Sequence, residues 1–301
     1  MKKYLFGIDG GATKSRIVIS NLDLDVLYQE EGDSSNIYGV GTDKATDNLK
    51  KLIISASNHA GINLNEIKAG CIGSAGMGRF REQTLIKQKL KSLNLPIYIC
   101  GDGEILLIGG LESYSGISLI SGTGSFCLGR TNDGKLYRSG GLGYLLGDEG
   151  SAFWISYQAI KRSLRSLENR DLKTSMLPAL INFFNLESKE DFIKFCNEDM
   201  SKKQIASAAV IVSDFALRGD ELAIDIMAKA VYELILLVSS IIDSNLEFYN
   251  SSLVVSGGVL EKDKFLIPRF QKKLQEKYPY LNFVKKKHEA AFGALMLAKK
   301  I

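Results

Sequence analysis

Three glycine-rich turns, each directly after an apolar run, are the segments of the sequence best suited to chemistry. They are Asp9–Thr13, Ser121–Ser125 and Ser256–Val259. Glycine lets backbone N–H groups surround phosphate oxygens without an intervening side chain, and the hydroxyls of Thr13 and Thr123 add further donors. Together the three turns predict a nucleotide-binding site.

The spacing of these turns excludes two familiar phosphate-binding loops. A Walker A loop would need glycine immediately before Lys14, where Thr13 stands, and no G-x-G-x-x-G motif occurs at the turns. Both of those loops also lead into a helix, whereas Ile17–Ile19 and Phe126–Leu128 have the composition of strands. The first two turns are therefore predicted to be tips of β-hairpins, and an ordinary hairpin turn stays open as the alternative for either one alone.

Composition narrows the remaining classes of protein. The chain has 301 residues, 45% of them hydrophobic, and a formal net charge of +4, which excludes a disordered or disulfide-scaffold protein. Its four cysteines form no C-x-x-C pair and its two histidines lie in no metal motif, so zinc sites and histidine-based triads are disfavoured and reduced thiols in a cytoplasmic protein are expected.

Membranes and nucleic acids are not expected as partners. The longest apolar stretch, Leu234–Ile242, falls short of the roughly 20 residues that span a bilayer. The one dense basic run, Lys285–Lys287, is typical of a solvated surface.

The order of elements predicts an α/β protein with two related halves. Three short strands form a meander before Gly32, after which helices and strands alternate, and this pattern is typical of a mixed sheet. Strand, glycine-rich turn and strand then recur at Ile117–Gly129. Helices are expected at about 151–167, 202–217 and 220–248, and the helical segment 288–300 is expected to pack back on the first lobe.

Four segments of the sequence resemble the N-acetylglucosamine kinase branch of the actin-like ATPase superfamily: Phe6–Ser15, Ile99–Gly103, Ile120–Ser125 and Gly140–Ile155. The family that contains this branch also includes the ATP-dependent activators of benzoyl-CoA reductase and 2-hydroxyacyl-CoA dehydratase. The resemblance spans nearly the whole chain. It implies a two-lobed, ribonuclease H-like fold in which each lobe is a mixed sheet flanked by helices and the nucleotide lies in the cleft.

The lobes implied by the resemblance are residues 1–114 with 288–301, and residues 115–287. The second would carry the second phosphate hairpin, the sugar-pocket loop, the adenosine site and the dimerisation surface. The resemblance makes Asp102 the general base and makes Asp9 the group that holds Mg²⁺ through water. The residues matched to ATP contacts are Gly10, Gly11, Thr13, Lys14, Thr123, Gly124, Gly257 and Gly258.

The residues matched to the acceptor sugar are Asn36, Asp102, Gly141, Leu142, Gly143 and Asp148. Asp148 also lies just before a predicted helix, where a carboxylate is favourable without any sugar. Leu142 stands where the animal enzymes have tryptophan, and the smaller side chain leaves room on the acceptor for either a 3-O-lactyl group or a differently substituted amine.

The activity implied is ATP-dependent phosphorylation of the 6-hydroxyl of N-acetylglucosamine, N-acetylmuramic acid or both, by a cytoplasmic homodimer. A glucosamine kinase is one alternative. The other is a non-kinase activator ATPase, which would need cysteine thiolates gathered at a subunit interface to hold an iron–sulfur cluster.

Overall fold

Two five-stranded mixed sheets form the frame of the protein in a computed structural model, which describes residues 2–11, 13–198 and 201–301. The strands of the first sheet are β1 (Tyr4–Gly10), β2 (Lys14–Asn21), β3 (Val26–Asp33), β4 (Ile67–Ser74) and β5 (Ile97–Cys100). Their order is β3-β2-β1-β4-β5. Strand β1 runs antiparallel to β2 and parallel to β4.

The second sheet repeats this plan. Its strands are β6 (Gly116–Ser121), β7 (Ser125–Arg130), β8 (Leu136–Gly140), β9 (Ser252–Ser256) and β10 (Asn282–Val284). Their order is β10-β9-β6-β7-β8, with β6 antiparallel to β7 and parallel to β9. In both sheets the first three strands form an antiparallel meander. The last two strands lie beside the first strand of the meander and run parallel to it. This repeated plan confirms the internal repeat expected from the sequence.

Helices flank both sheets. They are α1 (Ile37–Val40), α2 (Thr42–His59), α3 (Phe80–Lys89), α4 (Asp102–Leu111), α5 (Ala152–Leu167), α6 (Met176–Phe183), α7 (Lys189–Glu198), α8 (Lys202–Ser207), α9 (Ala209–Leu217), α10 (Glu221–Ser244), α11 (Gly258–Lys262), α12 (Leu266–Lys277) and α13 (Ala290–Lys299). This confirms the α/β class with mixed sheets. None of the helices within the described residues combines the length and apolar character that crossing a membrane requires.

Helix α4 connects the two sheets. It packs against α13, which lies on β1, and on its other side it contacts β6 and β9. Contact with α13 is very close, because a Cβ at Gly293 would lie 2.0 Å from the carbonyl oxygen of Ile105 and 2.5 Å from the nitrogen of Gly109. The C-terminal helix thus lies on the first sheet, while the lobe boundaries 1–114 with 288–301 and 115–287 stay a prediction.

Two of the expected helices differ in the structure. The helix expected over 202–217 breaks at Ala208 into α8 and α9. The helix expected over 220–248 ends at Ser244, and a 3₁₀ turn follows at Leu246–Phe248. Asn245 explains this end, because its extended backbone stops the helix and its side chain accepts from the nitrogen of Glu247 at 2.9 Å.

Candidate active site

The first glycine-rich turn joins β1 to β2 and is held by buried serine hydroxyls. Ser74 donates to the carbonyl oxygen of Gly10 at 3.0 Å, and the hydroxyls of Ser35 and Ser74 lie 2.9 Å apart. A Cβ at Gly10 would lie 2.1 Å from the Ser35 hydroxyl, so only glycine fits there. The hydroxyl of Ser15 completes this series of hydrogen bonds by donating to the hydroxyl of Ser35 at 2.9 Å. The turn is therefore fixed to the segment that precedes Asn36.

The other residues expected to bind ATP at this turn are more exposed. Thr13 lies on the surface of the turn, and the nitrogen of Gly11 donates to the carbonyl oxygen of Lys14 at 2.9 Å. The Lys14 ammonium pairs with Glu31 on β3 at 2.6 Å, so in this structure Lys14 points along the sheet. Ala12 lies outside the described residues.

The second glycine-rich turn joins β6 to β7 and is held by the segment before α5. Ser125 donates from its hydroxyl to the carbonyl oxygen of Glu149 at 2.6 Å, and Ser121 donates to that of Gly150 at 2.9 Å. The nitrogen of Ala152 donates to the carbonyl oxygen of Gly122 at 2.8 Å. Both hairpins predicted from the sequence are confirmed, and each is fixed by a different serine network.

Asp148 lies directly behind this second hairpin. Its side chain accepts from the nitrogen of Ser125 at 3.4 Å and from the ammonium of Lys202 at 2.8 Å. A Cβ at Gly124 would lie 2.9 Å from the carboxylate, so the hairpin rests on it. Asp148 is only 5% exposed, and its contacts here are to the protein. Its expected bond to sugar hydroxyls stays a prediction.

The third glycine-rich turn meets the second at the ends of neighbouring parallel strands. Gly257 has a φ of 100°, and a Cβ there would lie 2.3 Å from the carbonyl oxygen of Ser121. Gly258 begins the short helix α11, so this turn leads into a helix and not into a second strand. Beside the two turns opens a cavity of about 590 Å³, lined by Thr123, Gly258 and the α8–α9 segment. Its volume is within the range of small-molecule sites.

Two carboxylates, those of Asp9 and Asp102, lie close enough to influence each other's charge. Asp9 is the penultimate residue of β1, and burial followed by the charge of Asp102 raises its pKa to about 6. Asp102 lies two residues beyond the end of β5, at the first position of α4, and accepts from the nitrogen of Gly103 at 3.0 Å. Burial raises the pKa of Asp102, while the Gly103 N–H and the Arg138 guanidinium oppose this shift. The structure therefore brings these two predicted residues together.

Asp102 is placed where the lobes meet. A Cβ at Gly101 would lie 3.1 Å from the Cα of Gly78, in the segment between β4 and α3. A Cβ at Gly103 would lie 2.7 Å from the ring of Phe126, which follows the second hairpin. Both neighbours of Asp102 must be small for these close approaches.

The residues expected to hold the sugar lie around the same opening. Asn36 caps α1 by accepting from the nitrogen of Tyr38 at 3.1 Å, and its amide oxygen would lie 3.1 Å from a Cβ at Gly76. Gly141 and Gly143 both have positive φ, and Leu142 between them is 57% exposed. The pocket loop is thus open and its leucine is not packed into the core.

Arg138 is a residue of this opening that sequence reasoning missed. It extends from β8, and its guanidinium carbon lies 4.7 Å from the centre of the Phe126 ring. One guanidinium nitrogen would lie 2.5 Å from a Cβ at Gly78, across the cleft. Its position just before Gly140 and Gly141 is the only signal in the sequence that could have indicated it.

Metal and cysteine sites are not evident elsewhere in the described part of the chain. Within it, no cluster of three or more His, Cys, Asp or Glu side chains is arranged to hold a metal ion. Cys71, Cys100 and Cys127 are buried, and Cys196 is half-buried. Thiolates that hold an iron–sulfur cluster between subunits need to reach the surface, and the three buried cysteines do not reach it.

Comparison with known proteins gives a consistent result over the whole chain. The family model described as "BadF/BadG/BcrA/BcrD ATPase family" matches residues 6–298. The N-acetylmuramic acid/N-acetylglucosamine kinase of Clostridium acetobutylicum is 36% identical over 302 residues, covering 99% of this chain and 98% of that protein. The N-acetyl-D-glucosamine kinase of Dictyostelium discoideum is 29% identical over 317 residues, covering 99% and 98%.

A solved structure shows the same fold. A candidate N-acetylglucosamine kinase from Chromobacterium violaceum superposes with a TM-score of 0.77 at 23% identity, covering 98% of each chain. The two-lobed actin-like architecture expected from the sequence is thereby confirmed.

Proposed function

Because the chain belongs to the BadF/BadG/BcrA/BcrD ATPase family, we propose that it is a kinase that transfers the γ-phosphoryl group of ATP to the 6-hydroxyl of N-acetylglucosamine, N-acetylmuramic acid or both. Both relatives compared above over their full length are kinases of N-acetylated amino sugars. This supports a kinase over the activator ATPase, and an N-acetylated acceptor over glucosamine.

The observation that carries the proposal is the position of Asp102 at the junction of the lobes. Asp102 lies at the head of α4, where its neighbour Gly101 approaches Gly78 within the predicted first lobe and its neighbour Gly103 approaches the ring of Phe126 in the predicted second lobe. Phosphoryl transfer depends on a positioned nucleophile more than on covalent help from the protein, and a base on a rigid helix start provides such positioning.

In this proposal Asp102 accepts the proton of the sugar 6-hydroxyl. The oxygen of that hydroxyl forms a bond to the γ-phosphorus, the bond from that phosphorus to the β–γ bridging oxygen breaks, and ADP leaves. Burial raises the pKa of Asp102, which makes it a stronger base than a solvated carboxylate. Asn36 and the Gly141–Gly143 loop hold the sugar, and Asp148 is assigned a supporting contact to it.

ATP binds between the three turns. Backbone groups of Gly10, Gly11, Gly124 and the side chains of Thr13, Lys14 and Thr123 hold the phosphates. Gly257 and Gly258 let the backbone approach the adenosine in the cavity beside α11. Ordered glycine turns at strand ends supply many N–H donors to the phosphate oxygens.

Mg²⁺ fits the carboxylate pair at the cleft. Burial and the nearby charge of Asp102 raise the pKa of Asp9, and a cation placed there would favour the ionised carboxylates. We assign Asp9 to hold the ion through water, which matches the preference of Mg²⁺ for oxygen ligands and retained hydration. When bound, the ion neutralises charge on the phosphates.

We further propose that the enzyme works in the cytoplasm as a homodimer, as the resemblance implies. Light scattering of the purified protein at micromolar concentration would show twice the mass of the 301-residue chain. A mass equal to that of one chain would contradict the dimer.

The test of the proposed function is sugar-dependent release of ADP from Mg-ATP. The acceptor panel contains N-acetylglucosamine, N-acetylmuramic acid, glucosamine, N-acetylmannosamine and glucose. We expect strong stimulation by N-acetylglucosamine, N-acetylmuramic acid or both, and a 6-phosphorylated product by NMR. Basal ATP hydrolysis that no sugar stimulates would overturn the kinase proposal in favour of an activator ATPase.

A further inference from the structure

Arg138 is the cation of the cleft whose role the proposed function does not explain. It is the middle residue of β8, two residues before the Gly140–Gly141 pair. Its guanidinium donates to the carbonyl oxygens of Gly140 at 3.3 Å and of Gly141 at 3.2 Å. These two bonds hold the side chain over the sugar-pocket loop and leave other N–H groups of the guanidinium for a ligand.

Within the described residues, Arg138 forms no ion pair at 4 Å or closer. Burial lowers the pKa of the Arg138 guanidinium, and the carboxylates of Asp102 and Asp148, which act only at longer range, oppose this shift. The Arg138 guanidinium is held by two carbonyl oxygens and by the Phe126 ring, and it has no carboxylate partner within 4 Å among the described residues. It is therefore preorganised to bind an anion.

A second arginine faces the same space from the first lobe. Arg79 also lowers the pKa of Arg138, which means that the two like charges repel. Arg79 precedes α3 and donates weakly to the hydroxyl of Tyr38 at 3.5 Å, close to Asn36. Two cations held on opposite walls of one cleft are unfavourable until an anion comes between them.

The surroundings of Arg138 place this anion on the acceptor side of the cleft. Arg138 bonds to Gly141, and Arg79 contacts Tyr38, whose nitrogen bonds to Asn36. Gly141 and Asn36 are both predicted sugar contacts. Arg138 does not line the cavity proposed for adenosine, whose walls include Thr123 and Gly258. The anion is therefore better matched to a substituent of the sugar than to ATP.

We propose that Arg138 forms a binding subsite for a carboxylate carried by the acceptor sugar, as in the 3-O-lactyl group of N-acetylmuramic acid. The inference rests on the proposed kinase function and adds a specificity residue to it. Arg138 binds the carboxylate through a pair of parallel N–H donors, and Arg79 contributes charge from the opposite wall. Leu142 is exposed and is smaller than the tryptophan of the animal enzymes, so it leaves space for the lactyl carbons.

The experiment compares three acceptors that differ in this one group. They are N-acetylmuramic acid, the neutral amide of its lactyl carboxylate, and N-acetylglucosamine. Steady-state kcat/KM is measured for the natural protein, for Arg138→Gln and for Arg138→Lys. Arg170→Gln is the matched control, because Arg170 is an exposed arginine paired with Glu168 at the end of α5, away from the cleft.

The natural protein is expected to prefer the acid over the amide, and Arg138→Gln is expected to lower that preference by about 10- to 100-fold. Arg138→Lys keeps the charge and loses the fork, so the preference should fall by a smaller factor. Arg170→Gln should keep the full preference. Binding of N-acetylmuramic acid and its amide by calorimetry, without ATP, gives the same comparison if turnover of a variant is too slow to measure.

Two results would overturn the carboxylate subsite while leaving the kinase intact. One is a natural protein that phosphorylates N-acetylglucosamine and does not distinguish the acid from the amide. The other is an Arg138→Gln variant in which kcat/KM falls by the same factor for all three acceptors and the KM for ATP rises. That result would assign Arg138 to the phosphates. Absence of turnover with every sugar would instead overturn the proposed function itself.

Discussion

Lys202 donates a hydrogen bond to the buried carboxylate of Asp148 across 2.8 Å, and this pair supports the second phosphate hairpin. The other carboxylate oxygen accepts from the nitrogen of Ser125 at 3.4 Å. Lys202 begins α8 and also lies over the ring of Tyr144 at 5.3 Å. The packing of the second hairpin in the fold therefore depends on Lys202, which lies 54 residues after Asp148 in the sequence.

Removing Lys202 should destabilise the protein and weaken nucleotide binding. Lys202→Met leaves a buried carboxylate without its cation, and we expect the free energy of unfolding to fall by about 2 kcal/mol, less than for a fully buried pair because the lysine is partly exposed. Urea unfolding measures the loss, and titration with ATP measures the affinity.

The double variant Lys202→Met/Asp148→Asn is the matched control, because a neutral amide does not need the cation. It should recover part of the lost stability. Lys229→Met removes an exposed lysine that pairs with Asp225 on the surface of α10, and should change stability by less than 1 kcal/mol. Equal losses in Lys202→Met and Lys229→Met would show that the buried pair contributes little.

Asp102→Asn should abolish most turnover without unfolding the protein. Asparagine keeps an acceptor for the nitrogen of Gly103 but cannot take the proton, so we expect kcat to fall by about 10²- to 10⁴-fold with little change in the affinity for ATP. Because burial raises the pKa of Asp102, its ionised form is disfavoured in the fold, and the neutral amide should not lower the melting temperature at pH 7.

Asp133→Asn, on an exposed turn of the second lobe, controls for the substitution itself and should keep full activity. Turnover at the natural rate in Asp102→Asn would remove the assignment of Asp102 as the base. A large loss of stability in the same variant would indicate a structural role instead.

The hairpins could be predicted from the sequence because their signals are local. Gly10 and the Ser121–Ser125 run follow apolar strands directly, and each turn is followed by a second apolar run, Ile17–Ile19 or Phe126–Leu128. The repeated topology of the two sheets also follows from the repeated order of strand, turn and strand. The type and order of these elements depend on neighbouring residues alone.

Contacts that depend on the packing of distant segments could not be predicted in this way. Arg138 reaches Gly78 across the cleft, and nothing near either residue in the sequence indicates the other. The serines that hold the first turn come from β2, β4 and the segment before α1. Strand β8 was missed because it is short and half exposed, so it lacks the apolar alternation of a core strand.

Loss of Arg130 should make the stability of the protein depend on pH. Glu104 is buried on α4, and burial raises its pKa while Arg130 at 3.3 Å opposes the shift. In Arg130→Met the pKa of Glu104 rises further, so the folded state binds the proton more tightly than the unfolded state, and the free energy of unfolding falls as pH rises. We expect a loss of about 3 kcal/mol at pH 8 and a smaller loss at pH 5.

Urea unfolding at the two pH values measures this difference. Arg130 also donates to the carbonyl oxygen of Tyr114, and losing that bond should lower stability equally at both values. The control Arg130→Met/Glu104→Gln removes the titrating group, so only the equal part should remain. A pH-dependent loss that persists in the double variant would assign the effect to another group.

The contact between α4 and α13 should tolerate no added carbon. In Gly293→Ala the new methyl group would meet the carbonyl oxygen of Ile105 at 2.0 Å and the nitrogen of Gly109 at 2.5 Å, and both are backbone atoms of a helix that cannot move aside alone. The helices must separate, and we expect the free energy of unfolding to fall by about 3 kcal/mol. Because Asp102 begins α4, kcat should fall as well.

Gly39→Ala is the matched control on helix α1, where the nearest atom to the new methyl group is 3.8 Å away, and it should leave the free energy of unfolding close to its natural value. A Gly293→Ala protein as stable as Gly39→Ala would mean that α13 can shift along α4 without cost, and that the base at the head of α4 does not depend on the C-terminal helix for its position.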